Sequence, residues 1–149
     1  MSSDKKHTVN HGIEAAEKMQ QKCIEKYGWY LHHVTDDSFC PNNTNSHTHH
    51  LMESFGHKDF QVCLNIRPDI IHAVLTNLVE EIKKGAKYEV GKKYDGILTG
   101  YQVEFIDAIE TGREVLRLLL PDENGKYEHS PYSDQLTKLN NRVIVHNPN

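Results

Sequence analysis

The chain has 149 residues, 37% hydrophobic and 26% charged, with a formal charge of −4, eleven histidines and three cysteines. That length suits one domain with its own core, and an acidic balance without a basic run sets the expectation of no nucleic-acid partner. No apolar run approaches the roughly 18 residues of a membrane span, and the polar opening Met1-Ser2-Ser3-Asp4 lacks the apolar stretch of a secretory signal, so a cytoplasmic protein with no membrane partner is expected.

Residues 1–9 read as a loose tail. From about His11 to Tyr27 the apolar residues Ile13, Ala16, Cys23, Ile24 and Tyr27 fall near helical spacing, with Asn10 as N-cap and Gly28 as stop. Trp29 to Val34, aromatic and β-branched, reads as a strand. Asp36 to Asn45 is dense in Asp, Ser, Pro and Asn, which is loop chemistry. A strand follows at His47–Leu51, then a loop around Phe55-Gly56-His57. The next strand, Phe60–Ile66, puts Phe60, Val62, Leu64 and Ile66 on one face and Gln61, Cys63 and Asn65 on the other. Arg67-Pro68-Asp69 opens the strongest helix. Its stripe of Ile70, Ile71, Val74, Leu75, Leu78, Val79 and Ile82 should lie flat on the sheet, and Gly85 should end it.

Residues 86–100 read as an extended crossing loop with a short strand near Ile97-Leu98. Tyr101–Ile109 and Glu114–Leu120 are strands, the second apolar enough for a central, doubly covered position. Pro121 to Gly125 is a turn. Residues 130–149 read as a weakly ordered C-terminal segment, with a terminal helix around Ser133–Leu139. The pattern predicts one α+β domain: a mostly antiparallel mixed sheet of about five strands with two main helices packed on it.

The stretch His47–Ile66 holds four histidines. Strand alternation puts His47 and His49 on one face. Two imidazoles at i and i+2 begin a metal site, and Zn²⁺ is the ion such a set would take. A third ligand is needed, and Cys40, His57, Cys63 and the doublet His32-His33 are the candidates, although His32 and His33 point to opposite faces of their strand. If the two strands pair antiparallel through Phe55-Gly56, then His47, His49 and His57 converge on one cleft with Gln61 or Cys63 beside them, and Tyr94 can line it. The ligand set is then His47, His49, His57, Gln61 and Tyr94 for a polar molecule, or His47, His49, His57 and Cys63 for a metal. The same residues also suit a solvated strand end. Cys23, Cys40 and Cys63, odd in number and widely spaced, suit reduced thiols.

Gly28-Trp29, Thr48 with Leu51, Phe55-Gly56-His57, the helix after Pro68, Tyr94 with Gly100-Tyr101, and Leu118 to Gly125 occur in an order that resembles a bacterial domain family of unknown function, numbered 4262. The likeness covers roughly residues 20–130. Members typically read Tyr-Thr-Val-Gly-Leu, then Phe-Gly-His-Pro-Glu-Leu, and later Leu-Val-Trp-Pro-Asp. Here His47 stands for the usual Tyr, His49 for Val or Ile, His50 for Gly, Lys58 for Pro and Leu120 for Trp. The resemblance implies a small cytosolic α+β domain and supplies neither a reaction nor these histidines.

No nucleophile, base and orienter set is recognisable, and no Gly-x-Ser-x-Gly occurs. The expectation is a non-catalytic binding module for a small polar ligand or a protein partner, in a setting such as bacterial conflict or immunity. The alternative is a zinc-type, metal-dependent hydrolase built on the histidine cluster.

Overall fold

The computed structural model describes residues 2–34 and 44–136, with side chains from Gly12 onward. Helix α1 (Ser2–Tyr27) is followed by strands β1 (Tyr30–Val34) and β2 (Asn45–His49), a one-turn helix α2 (Leu51–Phe55), strand β3 (Asp59–Val62) and helix α3 (Pro68–Lys83). Strands β4 (Lys93–Leu98), β5 (Tyr101–Glu110) and β6 (Arg113–Leu119) and a 3₁₀ turn at Ser133–Leu136 complete it. The fold is α+β. One mixed sheet of six strands runs β1-β2-β3-β6-β5-β4. Every pairing is antiparallel except β3 with β6, which is parallel.

Helix α3 behaves as its stripe dictates. Pro68 occupies the first turn and Asp69 complements the positive end of the helix dipole. Ile71, Leu75, Leu78, Val79 and Ile82 are buried, whereas Ile70, at the edge of the stripe, is exposed. The helix lies on the sheet face made by Phe60, Val62, Leu64, Phe105, Leu116 and Leu118, and these side chains form one core with it. Strand β6 sits between β3 and β5 and is buried from Val115 onward, as its continuous apolar run predicts.

Helix α1 starts earlier than expected and runs through Asn10, the anticipated cap. Its apolar positions Ile13, Met19 and Tyr27 are exposed. It ends before Gly28, whose backbone is left-handed (φ +88°), and position 28 favours glycine because an added Cβ would lie 2.9 Å from Phe55 Cζ.

Four further stretches differ from the sequence reading. The expected loop after His49 contains α2, entered through His50 in the left-handed conformation (φ 80°). Position 50 is where the resembling family carries glycine, which adopts this backbone without cost. Strand β3 ends at Val62 rather than Ile66, and the short strand expected near Ile97-Leu98 is a longer edge strand over residues 93–98. The expected terminal helix is a 3₁₀ turn as far as Leu136, and residues 137–149 lie outside the described residues. No helix among the described residues is long and apolar enough to cross a membrane.

Candidate metal centre

The face of the sheet away from α3 is polar at its β1-β2-β3 end. Antiparallel register sets His32 opposite His47, Tyr30 opposite His49, and His47 opposite Gln61. Directly opposed residues point to the same side, and so do residues two apart on one strand. His32, His47 and His49 therefore meet. Their rings lie 5.0 Å (His32 to His47), 4.8 Å (His47 to His49) and 6.0 Å (His32 to His49) apart between centroids. One ligand nitrogen from each falls within 4.8 Å of the others. His32 is exposed, His49 half-buried and His47 buried, so the cluster runs inward from the surface. Tyr30 stacks on His49 at 4.7 Å and 13°, fixing that ring. His33, the other half of the doublet, points to the opposite face and pairs with the Ser46 hydroxyl.

Behind His47 lies a buried hydrogen-bond chain whose polarity can be deduced from one end. Arg117 is wholly buried, and guanidinium can only donate. Its Nε donates to Gln61 Oε1 (2.7 Å), which forces the Gln61 amide to point its NH₂ the other way. That NH₂ donates to Asn45 Oδ1 (3.2 Å) and Glu110 Oε2 (2.9 Å). Asn45 Nδ2 also donates to Glu110 Oε2 (2.8 Å). Reversing Asn45 would set its nitrogen against the Gln61 NH₂ and its oxygen against a carboxylate, so Asn45 Oδ1 is the acceptor facing His47. His47 Nδ1, 3.1 Å from it, therefore carries the proton. The lone pair is on Nε2, and 3.6 Å from Nε2 stands Glu110 Oε1.

Burial and neighbouring charge keep His47 and His49 unprotonated at neutral pH. Burial, then the neighbouring His32, then the Arg113 guanidinium push His47 down to about 3. Burial and Arg113 push His49 down to about 4, against a small opposing pull from Glu110. The close approach of His47 to Glu110 is thus not an ion pair at neutral pH. A neutral imidazole with a defined lone pair is the form that ligates metals.

Beside His49 a cleft of about 510 Å³ opens, bordered by Tyr30, His49, Asp59 and Arg113. Arg113 donates to Asp59 Oδ2 (2.6 Å) and to the Thr48 carbonyl (2.8 Å), tying β6 to β2 and β3 at the edge of the cluster. Burial raises the Asp59 carboxyl above its usual range, against the Thr48 hydroxyl and Arg113, which lower it.

Of the residues singled out from sequence, the structure brings His47 and His49 together but supplies His32, not His57, as the third imidazole. His57 Nε2 accepts the Tyr88 N–H (3.0 Å), Nδ1 donates to the Lys58 carbonyl (2.8 Å), and the ring packs on Phe60 on the α3 side. The physical reason is α2: a helical turn between the strands carries position 57 to the other face. Tyr94 is on that side too, packed against Tyr88 and Phe105 with its hydroxyl accepting the Glu89 N–H. Cys63 is buried and stands apart from the three-histidine group. Gln61 shares the face of His47, but its amide is engaged by Asn45, Glu110 and Arg117, so it orients its neighbours rather than presenting itself to a ligand. Cys40 lies outside the described residues.

The sequence reading missed Asn45 and Glu110. Asn45 had a signal, being two residues before His47 on the same strand. Glu110 had none: 65 positions separate it from Asn45, and only the closed sheet joins them.

Neither a curated protein nor a solved structure gives a match to this chain. A family model, described as Domain of unknown function (DUF4262), matches residues 23–133, and the chain belongs to that family.

Proposed function

We propose that this domain is a non-catalytic binding module whose ligand is a transition-metal ion of the Zn²⁺ type, taken up by His32, His47 and His49. The observation that carries this reading is the convergence of three imidazole nitrogens within 4.8 Å. Two ligands about 2.0–2.1 Å from one tetrahedral ion lie about 3.3–3.4 Å apart. Modest side-chain rotation, above all of exposed His32, closes the difference. The fixed tautomer and orientation of His47 support it further, because ordered outer partners are what make a ligating histidine effective.

A second reading is supported by the cleft beside His49: an ion with an open position there would activate water, as in zinc-type hydrolases.

Protein purified without a histidine tag and dialysed against Zn²⁺ should hold one ion per chain by elemental analysis. His47→Ala with His49→Ala should lose it, and His57→Ala should not. Equal metal content in the wild type and the His47/His49 double variant would end the proposal.

A further inference from the structure

We infer that the centre keeps an open position and that a small oxyanion, a carboxylate or a phosphate group, fills it, with one oxygen on the ion and another on the Arg113 guanidinium. This rests on the metal-binding reading above and names the polar ligand that the metal-loaded domain takes.

Three imidazoles leave a tetrahedral ion one ligand short. Of the three, His49 borders the cleft of about 510 Å³, and Arg113 borders the same cleft. Its Nη1 donates to Asp59 and its Nη2 to the Thr48 carbonyl, so the guanidinium is held in place beside the cluster. It also has donors to spare. A guanidinium carries five N–H groups, and among the described residues the Nε–H of Arg113 meets no acceptor. A buried N–H left without a partner is costly and uncommon. The side chain as a whole is 29% exposed, so it is not sealed off from the cleft. A metal ion and a fixed guanidinium at one cleft suit an oxyanion, because each takes an oxygen and the planar fork matches the shape of the group. Charge makes this binding depend on the metal. Lys58 and Arg113 are outnumbered at the cleft by Glu53, Asp59 and Glu114, so without metal it repels anions, and a divalent ion at its edge reverses the sign.

In the test, Co²⁺-loaded protein is titrated with sodium acetate, with inorganic phosphate and with azide while its visible bands are followed. Azide reaches the ion but has no oxygen to offer Arg113. Acetate or phosphate should shift the bands and bind at least as tightly as azide, and the tighter of the two identifies the oxyanion. Metal-free protein should bind neither by isothermal titration calorimetry. In the double variant Arg113→Met with Asp59→Asn, which strands no carboxylate, that oxyanion should bind at least about 10-fold more weakly while azide affinity holds within about threefold. The wild-type comparison with azide also serves if this variant does not fold.

Acetate and phosphate both binding more weakly than azide, or an oxyanion held as tightly by the double variant as by the wild type, would overturn the role of Arg113 while leaving the three histidines intact. Bands that no anion moves would mean a closed centre and overturn the open position. Wild-type protein that takes up Co²⁺ no better than the His47/His49 double variant would instead remove the metal-binding reading itself, and this inference with it.

Discussion

Gln61→Leu removes the hub of the buried polar chain at nearly constant volume. Gln61 is fully buried and makes three hydrogen bonds: from Arg117 Nε at 2.7 Å, to Glu110 at 2.9 Å and to Asn45 at 3.2 Å. The first two involve charged groups, for which about 1.5–3 kcal/mol each is typical, and the third about 1 kcal/mol. Burying leucine instead of an amide returns about 1–2 kcal/mol. The expected net loss is about 4 kcal/mol, or roughly 8–16 °C in Tm for a chain of this size. Urea denaturation followed by far-UV circular dichroism reads it, with the slope unchanged if only the native state is affected. A loss below about 1 kcal/mol would refute the reasoning, because Arg117 and Glu110 would then have found other partners at no cost. The same variant frees Asn45 and Glu110 to turn, so Zn²⁺ affinity should fall about 10–100-fold.

Leu78→Ala, at a core position against the sheet, should cost about 2–5 kcal/mol in the same denaturation assay; an unmoved midpoint would contradict the packing of α3. Acid should weaken the metal-free protein well before its carboxylates titrate. His47 and His49 take protons near 6.5 when unfolded but only near 3 and 4 when folded, so stability is full above about pH 6.5 and falls as pH drops toward 4. For buried His47 the slope approaches about 1.4 kcal/mol per pH unit, and the half-exposed His49 adds less. A stability flat between pH 7 and 5, or one that rises, would contradict this. His50→Gly should raise Tm by about 2–4 °C, since left-handed backbone at φ 80° costs a side chain about 1 kcal/mol and the lost contact with Ser54 is exposed. A lower Tm would mean that this contact outweighs the strain.

Legibility from sequence followed the range of the forces involved. Helix α3 was readable because its stripe, proline start and glycine stop are local signals, and its buried residues sit where that stripe puts them. The pairing of His47 with His49 was readable because strand alternation is a two-residue rule. Strand β6 was recognisable as central from its apolar run alone. By contrast, the third imidazole depended on the register of β1 against β2 across a long connection, which no local pattern specifies. The placing of His57 turned on whether residues 51–55 form a turn or a helix, a matter of a few residues that reverses the face of everything after it. Glu110 and Arg117 depended on the order in which strands assemble, and charged side chains at wholly buried positions run against composition-based expectation.

The single parallel contact in the sheet has a kinetic consequence. β1, β2 and β3 follow one another along the chain and can zip up locally, and so can β4, β5 and β6. Among the described residues the strand pairing that joins these two halves is β3 against β6, where Gln61 meets Arg117 across 56 positions of sequence. Closing so long a loop is the entropically expensive event, so docking of the halves should govern the folding rate. The polar chain behind His47 spans this joint, with Asn45 and Gln61 in the first half and Glu110 and Arg117 in the second, so the first half alone does not hold that ring in place. An ion bound to that ring would favour the docked halves: it would slow their separation far more than it speeds their meeting, and residence of the metal would be written into the lifetime of the native state.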